Sequence, residues 1–336
     1  MRVLVTGGSG FLGRRVAEEL LATGHDVRLL LRKPLKGPSG ALGEAGTAIG
    51  DLGDVESLRK AVKGTQAVMH CAARCGVWGP LPDYIETNVM GTSRLLEAAR
   101  QEGLSYFVHA SSFSVVHGKF SLEGVTESRP YSSDPTAPYA YSKTLSEREV
   151  LLANGPGFKT VALRPHLIWG PGDRHLLPRL VGLARKKRLF LFSGGPYRVD
   201  SLYIDNAAKA FHLALSKLIE GSPIGGQAYF IGQGEPEEIG VLVGKLLVAV
   251  GAPPVRWNMP VEVGSVVARV SEWLWDSFGL GGEPPLTKFT LSQLSTSHWP
   301  DISKARRELG YSPKVSVEEG LARLAEAVKA GYLKPS

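Results

Sequence analysis

Cysteine is nearly absent: the 336 residues contain two, Cys71 and Cys75. Two thiols four residues apart make neither a disulfide framework nor a four-ligand zinc site, so no metal is expected. Cys71 closes the apolar run "AVMHCAA", and a buried, reduced thiol there fits cytoplasmic conditions. Long apolar runs are also lacking. No uncharged stretch reaches the roughly 18 residues of a spanning helix. The opening "MRVLVTGG" enters a strand pattern at once and leaves no room for a signal peptide. Acidic charge is in deficit, with 32 Asp and Glu against 39 Lys and Arg, a net charge of +7. The excess is scattered, apart from "ARKKR" (184–188) and "KARRE" (304–308), which read as helix ends or solvated faces. No nucleic-acid-binding module accompanies it, so no nucleic acid is expected as a partner.

Alternation is what the chain has. "RVLVT" (2–6), "DVRLLL" (26–31), "TAIG" near 47, "QAVMH" near 66, "SYFVHA" near 105 and "KTVALR" near 159 are short apolar runs of strand type. Helical patterns separate most of them, including "FLGRRVAEELLATG" (11–24), "LRKAV" (58–62) and "TSRLLEAARQEG" (92–103). This order predicts an α/β fold: a Rossmann-like doubly wound parallel sheet. Past about residue 170 the alternation loosens into helices, which predicts a smaller, mostly helical C-terminal substrate lobe. The division expected is 1–170 for the nucleotide-binding domain, with about 200–230 returning to it, and 171–336 mainly for the lobe. One helix, 261–279, carries Val263, Val266, Val267, Val270, Trp273, Leu274 and Phe278 on a single stripe, with Trp275 on its flank. It reads as a lobe helix; an entrance lined for a lipid and a surface helix touching a membrane are the sharper alternatives. The stretches 33–46 and 279–286 read as loops.

"VTGGSGFLG" lies between the first strand and the first helix, with Gly8, Gly10 and Gly13 in G-x-G-x-x-G order and Gly7 preceding them. In that setting glycines allow a tight turn and let backbone N–H groups approach a pyrophosphate at a helix N-terminus. The second strand ends "LLLRKP", with Arg32 and Lys33 and no carboxylate; Asp26 sits at its other end. A basic residue there suits a 2′-phosphate, so NADP(H) is expected over NAD(H). Asp51 and Leu52, in "GDLGD", are placed to edge the adenine, and Asp51 doubles as a candidate helix cap.

"TAPYAYSKTLSERE" (136–149) holds two tyrosines and a lysine. Pro138 suits a first helical turn, and Thr136 or its neighbours could cap it. On that helix Tyr139 and Lys143, four apart, share a face, whereas Tyr141 points away. A phenol is a poor base at neutral pH; a nearby ammonium lowers its pKa. Such a tyrosine exchanges a proton with a hydroxyl or carbonyl oxygen while hydride moves at the adjacent carbon. "FVHASSFSVVHG" (107–118) offers Ser111, Ser112 and Ser114 past a strand's carboxyl end, where ligands bind in such sheets.

Together "TGGSGFLG", "GDLGD", "HCAA", "TNVMGT", "ASSFSVVHG", "YAYSK" and "LRPHLIWGPGD" resemble the extended short-chain dehydrogenase/reductase family. "AARCGVWG", "SSFSVVHG" and the tail from "PPLTKF" resemble its 3β-hydroxysteroid dehydrogenase branch, which includes sterol 4-carboxylate dehydrogenases and bacterial 2-alkyl-3-oxoalkanoate reductases. The resemblance implies Tyr139 as acid/base, Lys143 as its partner, Asn88 in the active-site network and Ser112 as the catalytic serine, with Ser114 as the fallback. It implies cofactor contacts from Gly7, Gly10, Phe11, Leu12, Gly13, Ala72, Ala73, Tyr139, Lys143, Pro165 and Ile168, beside Arg32, Lys33, Asp51 and Leu52. Sugar-modifying relatives carry their serine at the position of Phe113, which argues against a nucleotide-sugar epimerase or dehydratase.

The activity expected is reversible 3-oxo/3-hydroxy conversion on a bulky lipid-like ketone or alcohol, a β-keto acid ahead of a steroid. Phe113 is expected to face the substrate, and His166 and Arg179 to offer a cation for its carboxylate. An epimerase or dehydratase and a non-catalytic NADP sensor are the alternatives. A homodimer and a peripheral membrane contact are left open.

Overall fold

The computed structural model describes residues 1–34, 40–134 and 137–331. The expected cap at Thr136 and part of the 33–46 loop fall outside them. Seven strands form the main sheet: β1 (Arg2–Thr6), β2 (Asp26–Leu31), β3 (Gly46–Ile49), β4 (Ala67–His70), β5 (Tyr106–Ala110), β6 (Lys159–Pro165) and β7 (Gln227–Ile231). All pair in parallel, in the order β3-β2-β1-β4-β5-β6-β7. The longer helices are α1 (Phe11–Ala22), α2 (Val55–Val62), α3 (Gly91–Gln101), α4 (Pro138–Leu152), α5 (Leu176–Arg185), α6 (Ile204–Ile219), α7 (Ile239–Ala249), α8 (Val261–Phe278), α9 (Lys288–Ser295) and α10 (Val317–Lys329).

The sheet is covered on both faces, which explains why its strands read as continuous apolar runs instead of alternating ones. On one face Val16, Ala17 and Leu20 of α1 join Ala207, Ala210, Phe211 and Ala214 of α6 over Val3, Val5 and Leu29. The alanines of α6 keep the two helices close. On the other, Leu58 and Ala61 of α2, Leu95 and Ala99 of α3 and Val150 of α4 pack on Leu4, Val68 and Phe107. Burying one such leucine contributes about 2 kcal/mol. The segment 204–231, far along the chain, supplies both α6 and the edge strand β7 of this sheet.

A second core joins Trp169, Leu177 and Leu180 to Leu242 and Leu246 of α7 and Leu324 of α10. Helix α8 forms where the pattern predicts it but is turned about its axis. Val263, Val266, Val270, Trp273 and Phe278 are exposed, and Gly264, Ala268, Ser271 and Glu272 are buried. Close approach decides this: a Cβ on Gly264 would stand 2.3 Å from Phe192 Cε1. The small residues admit the neighbouring chain and the large ones are left outside. No helix among the described residues is long and apolar enough to cross a membrane.

Candidate active site

The strand order reverses between β1 and β4, and the turns after their carboxyl ends bound a crevice. After Thr6 the chain turns through Gly7 at φ 72°, where a Cβ would meet Ala72 N at 2.8 Å. The Gly10 N–H donates to the Gly7 carbonyl at 2.8 Å. A Cβ on Gly13 would lie 2.3 Å from that carbonyl oxygen. Glycine at these positions lets α1 start directly against the strand end. Gly10 is its N-cap and offers no side chain, so the first-turn N–H groups remain for an outside acceptor. Phe11 and Leu12 open the helix, and the Ala72 N–H donates to Thr6 Oγ1 at 3.1 Å across the crevice. This cradle, which any side chain would fill, fits a dinucleotide pyrophosphate.

Arg32 and Lys33 are exposed just past β2, while Asp26, at its far end, pairs with Arg2 at 2.6 Å. Asp51 does not cap α2. Asp54 does, accepting from Glu56 N at 3.1 Å and Ser57 N at 3.3 Å, and Asp51 Oδ1 instead accepts from Gly53 N at 2.9 Å. Leu52 is buried beneath Gly91. Ala73 follows Ala72 past β4, Pro165 ends β6, and Ile168 lies in a two-residue strand beside Leu202.

Helix α4 starts with Ala137 as N-cap and Pro138 in the first turn. Tyr139 and Lys143 face inward; Tyr141 is exposed. Ser112 caps the short 3-10 turn Phe113–Val115, its Oγ accepting from Ser114 N at 3.1 Å and from Ser114 Oγ at 2.9 Å. The same Ser112 hydroxyl faces the Tyr139 phenol and acts to lower its pKa. Of the two serines, Ser112 is the one that acts on the phenol's pKa, and Ser114 bonds Ser112.

The phenol does not have the lowered pKa expected of it. Burial raises it, the nearby Cys75 thiol adds to the rise, and the Ser112 hydroxyl only partly offsets them. The Lys143 ammonium lies 3.2 Å from His109 Nε2 and is itself lowered to about 8, chiefly by burial. At neutral pH Tyr139 therefore holds its proton and is ready to donate it.

Asn88 sits in a π-helical turn, Ile85–Met90, whose extra residue directs the side chain inward. Its Oδ1 accepts from Arg74 N at 2.7 Å; its Nδ2 donates to Arg74 O at 3.0 Å and Ser142 Oγ at 2.9 Å. It fixes the segment after β4 to α4.

Of the three residues expected at the substrate, His166 and Phe113 are buried and Arg179 is partly exposed in an ion pair. His166 is buried, accepts from Leu167 N at Nδ1 (2.8 Å) and meets His298 Nδ1 at 3.0 Å through Nε2. Burial holds it well below the usual histidine range, so it is no cation. Phe113 is buried too, with its ring centroid 4.5 Å from that of His166 and 5.5 Å from that of Phe230. Arg179 keeps its charge on Glu283, 3.3 Å away. Three residues at the site were not assigned a role from sequence: Cys75 and Tyr84, which both perturb Tyr139, and His109 against Lys143. A histidine inside the apolar strand "YFVHA" was the visible signal for the last; the other two come from a loop and a short helix whose folding the pattern does not reveal. Among the described residues no group of three or more His, Cys, Asp or Glu could hold a metal ion.

A model of the 3-beta hydroxysteroid dehydrogenase/isomerase family matches residues 4–261. The chain belongs to that family. It is 44% identical to the 2-alkyl-3-oxoalkanoate reductase of Stenotrophomonas maltophilia (strain K279a), over 96% of this chain and 98% of that protein. It is 30% identical to the decarboxylating sterol-4-alpha-carboxylate 3-dehydrogenase of Mus musculus, over 96% of this chain and 90% of that one. Among solved structures, MoeE5 in complex with UDP-glucose and NAD superposes with a TM-score of 0.75 at 25% identity, covering 98% of this chain and 99% of the other. As a member of the 3-beta hydroxysteroid dehydrogenase/isomerase family, the protein is an NAD(P)-dependent oxidoreductase of CH–OH and C=O groups. The alternative of a non-catalytic sensor is thereby set aside.

Proposed function

We propose that the enzyme reduces the 3-oxo group of a bulky, apolar β-keto acid with NADPH, using Tyr139 as proton donor. The observation that supports this reading most is that Tyr139 and Lys143 face inward from one side of α4, with the Ser112 hydroxyl, held by Ser114 past the carboxyl end of β5, acting on the phenol. The bound nicotinamide cofactor supplies the hydride. Tyr139 gives its phenolic proton to the carbonyl oxygen as negative charge develops there. The Ser112 hydroxyl, oriented by Ser114, holds the same oxygen. Lys143, one helical turn on, keeps a positive charge beside the phenolate left behind. Asn88 holds α4 and the 72–75 segment in register.

The preference for NADP(H) rests on Arg32 and Lys33 at the end of β2 and on the absence of a carboxylate there. The β-keto acid is favoured by the relative named a 2-alkyl-3-oxoalkanoate reductase. The test is NADPH oxidation against 2-alkyl-3-oxo acids, 3-ketosteroids and UDP-sugars. One NADPH consumed per 3-hydroxy acid formed is the expected result. Conversion of a UDP-sugar with no net loss of NADPH would contradict it.

A further inference from the structure

His109 is wholly buried on β5, on the face it shares with Phe107 and below α4. Its neighbours limit its hydrogen-bond roles. Ser146 Oγ, 3.4 Å from His109 Nε2, already donates to the Lys143 carbonyl at 3.1 Å. The Lys143 ammonium, 3.2 Å from the same nitrogen, can only donate. The 3.2 Å Lys143 contact is a hydrogen bond only with Nε2 bare and the ring proton on Nδ1, the tautomer on which the inference rests; with the proton on Nε2 the ring would donate to Ser146 Oγ instead. That Nδ1 is buried and has no hydrogen-bond partner. An unpartnered N–H is a cost that a leucine or phenylalanine in this strand would avoid. The ring also lies 5.3 Å from His70, whose roles are fixed. Thr92 Oγ1 donates to Asn88 O at 2.6 Å, so it accepts from His70 Nε2 at 2.9 Å, and His70 Nδ1 accepts from Thr6 Oγ1 at 2.8 Å. Both imidazoles are neutral and each presents one nitrogen lone pair. Only His109 spends its lone pair on a charged group.

We propose that His109 is a positioning residue for Lys143: its bare Nε2 takes one ammonium hydrogen and leaves the other two directed into the cofactor cleft. The inference rests on the reading of Tyr139 and Lys143 as the proton-transfer pair. The groups around Lys143 are Cys71 and Cys75 from the segment after β4, Glu147 one turn on in α4, His70 on β4 and His109 on β5. Of the neutral ones, His109 alone is within hydrogen-bond distance of the ammonium.

The test compares His109→Phe, which keeps a ring but no acceptor, with His109→Gln, whose amide oxygen can reach the place of Nε2. Tyr139→Phe is run beside them. NADPH affinity is read by fluorescence, kcat and its pH profile by NADPH oxidation, and folding by the melting temperature. For His109→Phe we expect a roughly ten- to hundred-fold loss of kcat and weaker NADPH binding. Its alkaline limb should move to lower pH, because the ammonium has lost an acceptor. His109→Gln should recover most of both. Normal kcat, NADPH affinity and pH limb in His109→Phe, with Tyr139→Phe inactive, would overturn the inference and leave the Tyr139 reading standing. Equal losses in both His109 variants, with lowered melting temperatures and an unmoved pH limb, would overturn it in favour of plain packing. An active Tyr139→Phe would remove the pair and this inference together. If His109→Phe does not fold, His109→Asn, whose amide ends short of Lys143, takes its place in the same comparison.

Discussion

At the scale of single residues, the proposed mechanism separates groups that would touch the reacting oxygen from groups that hold them. Ser112 faces the phenol, and Ser114 bonds Ser112. Ser112→Ala should therefore lower kcat by roughly a hundredfold, and Ser114→Ala by much less. Steady-state kinetics on the two variants side by side would check this; equal losses would show that the hydroxyls act as one unit. The exposed pair Arg32 and Lys33 makes a separate prediction. Arg32→Asp places a carboxylate at the end of β2 and should move the NADPH/NADH ratio of kcat/KM toward NADH. An unchanged ratio would count against any 2′-phosphate contact. Most of these residues were legible as types in a spacing. Tyr139 and Lys143 follow from helical periodicity, and the glycines from their place between strand and helix. The substrate residues were not legible. His166 and Phe113 carry the chemistry of a binding site, but what decides their part is burial by Phe230 and His298, which lie far away in sequence.

At the scale of elements, a chain of neutral histidines ties β6, the Phe113 turn and α9 together. His166 Nε2 donates to His298, since its Nδ1 already accepts from Leu167 N. His298 Nε2 then donates to Gln293 O at 3.0 Å, and Gln293 Nε2 donates to His117 Nδ1 at 3.0 Å. Burial lowers His298 to about 4 and His117 to about 3. Their folded pKa values lie below the unfolded value near 6.5, so below that pH the unfolded chain binds protons that the folded chain refuses. Stability is thus full above the unfolded pKa and falls as pH drops toward 4, by roughly 1 kcal/mol per pH unit for each histidine. Asp200, raised to about 6 by burial, and Asp173 and Glu149, also raised by burial, work the other way, but they are three carboxyl groups against five buried histidines. Urea midpoints at pH 7.5, 6 and 5 should fall in that order, and a flat series would contradict the neutral chain. Helix α8 offers a second check at this scale. Gly264→Ala must displace Phe192 or the helix and should cost about 1–3 kcal/mol in thermal unfolding, with cofactor affinity unchanged. The boundaries of α8 were legible in the sequence and its facing was not. A hydrophobic stripe marks the inner face only when no smaller surface lets the helix pack closer, and Gly264, Ala268 and Ser271 provide that smaller surface.

At the scale of the molecule, the parallel order could be read from alternating strand and helix runs, because a sheet covered on both faces needs apolar strands. The return of 204–231 to that sheet closes its edge with β7 and covers β1 with α6, so the nucleotide crevice is braced by chain from both ends of the sequence. The remaining segments form the core around Trp169 and Leu246. The proposed mechanism rests on the Tyr139 phenol, with Ser112 beside it. The measurement that tests this most directly is kcat together with NADPH affinity for Tyr139→Phe. The account predicts a loss of turnover of at least about a hundredfold with NADPH binding within a few-fold of the unaltered enzyme. Retained turnover, or a loss traced wholly to NADPH binding, would contradict it.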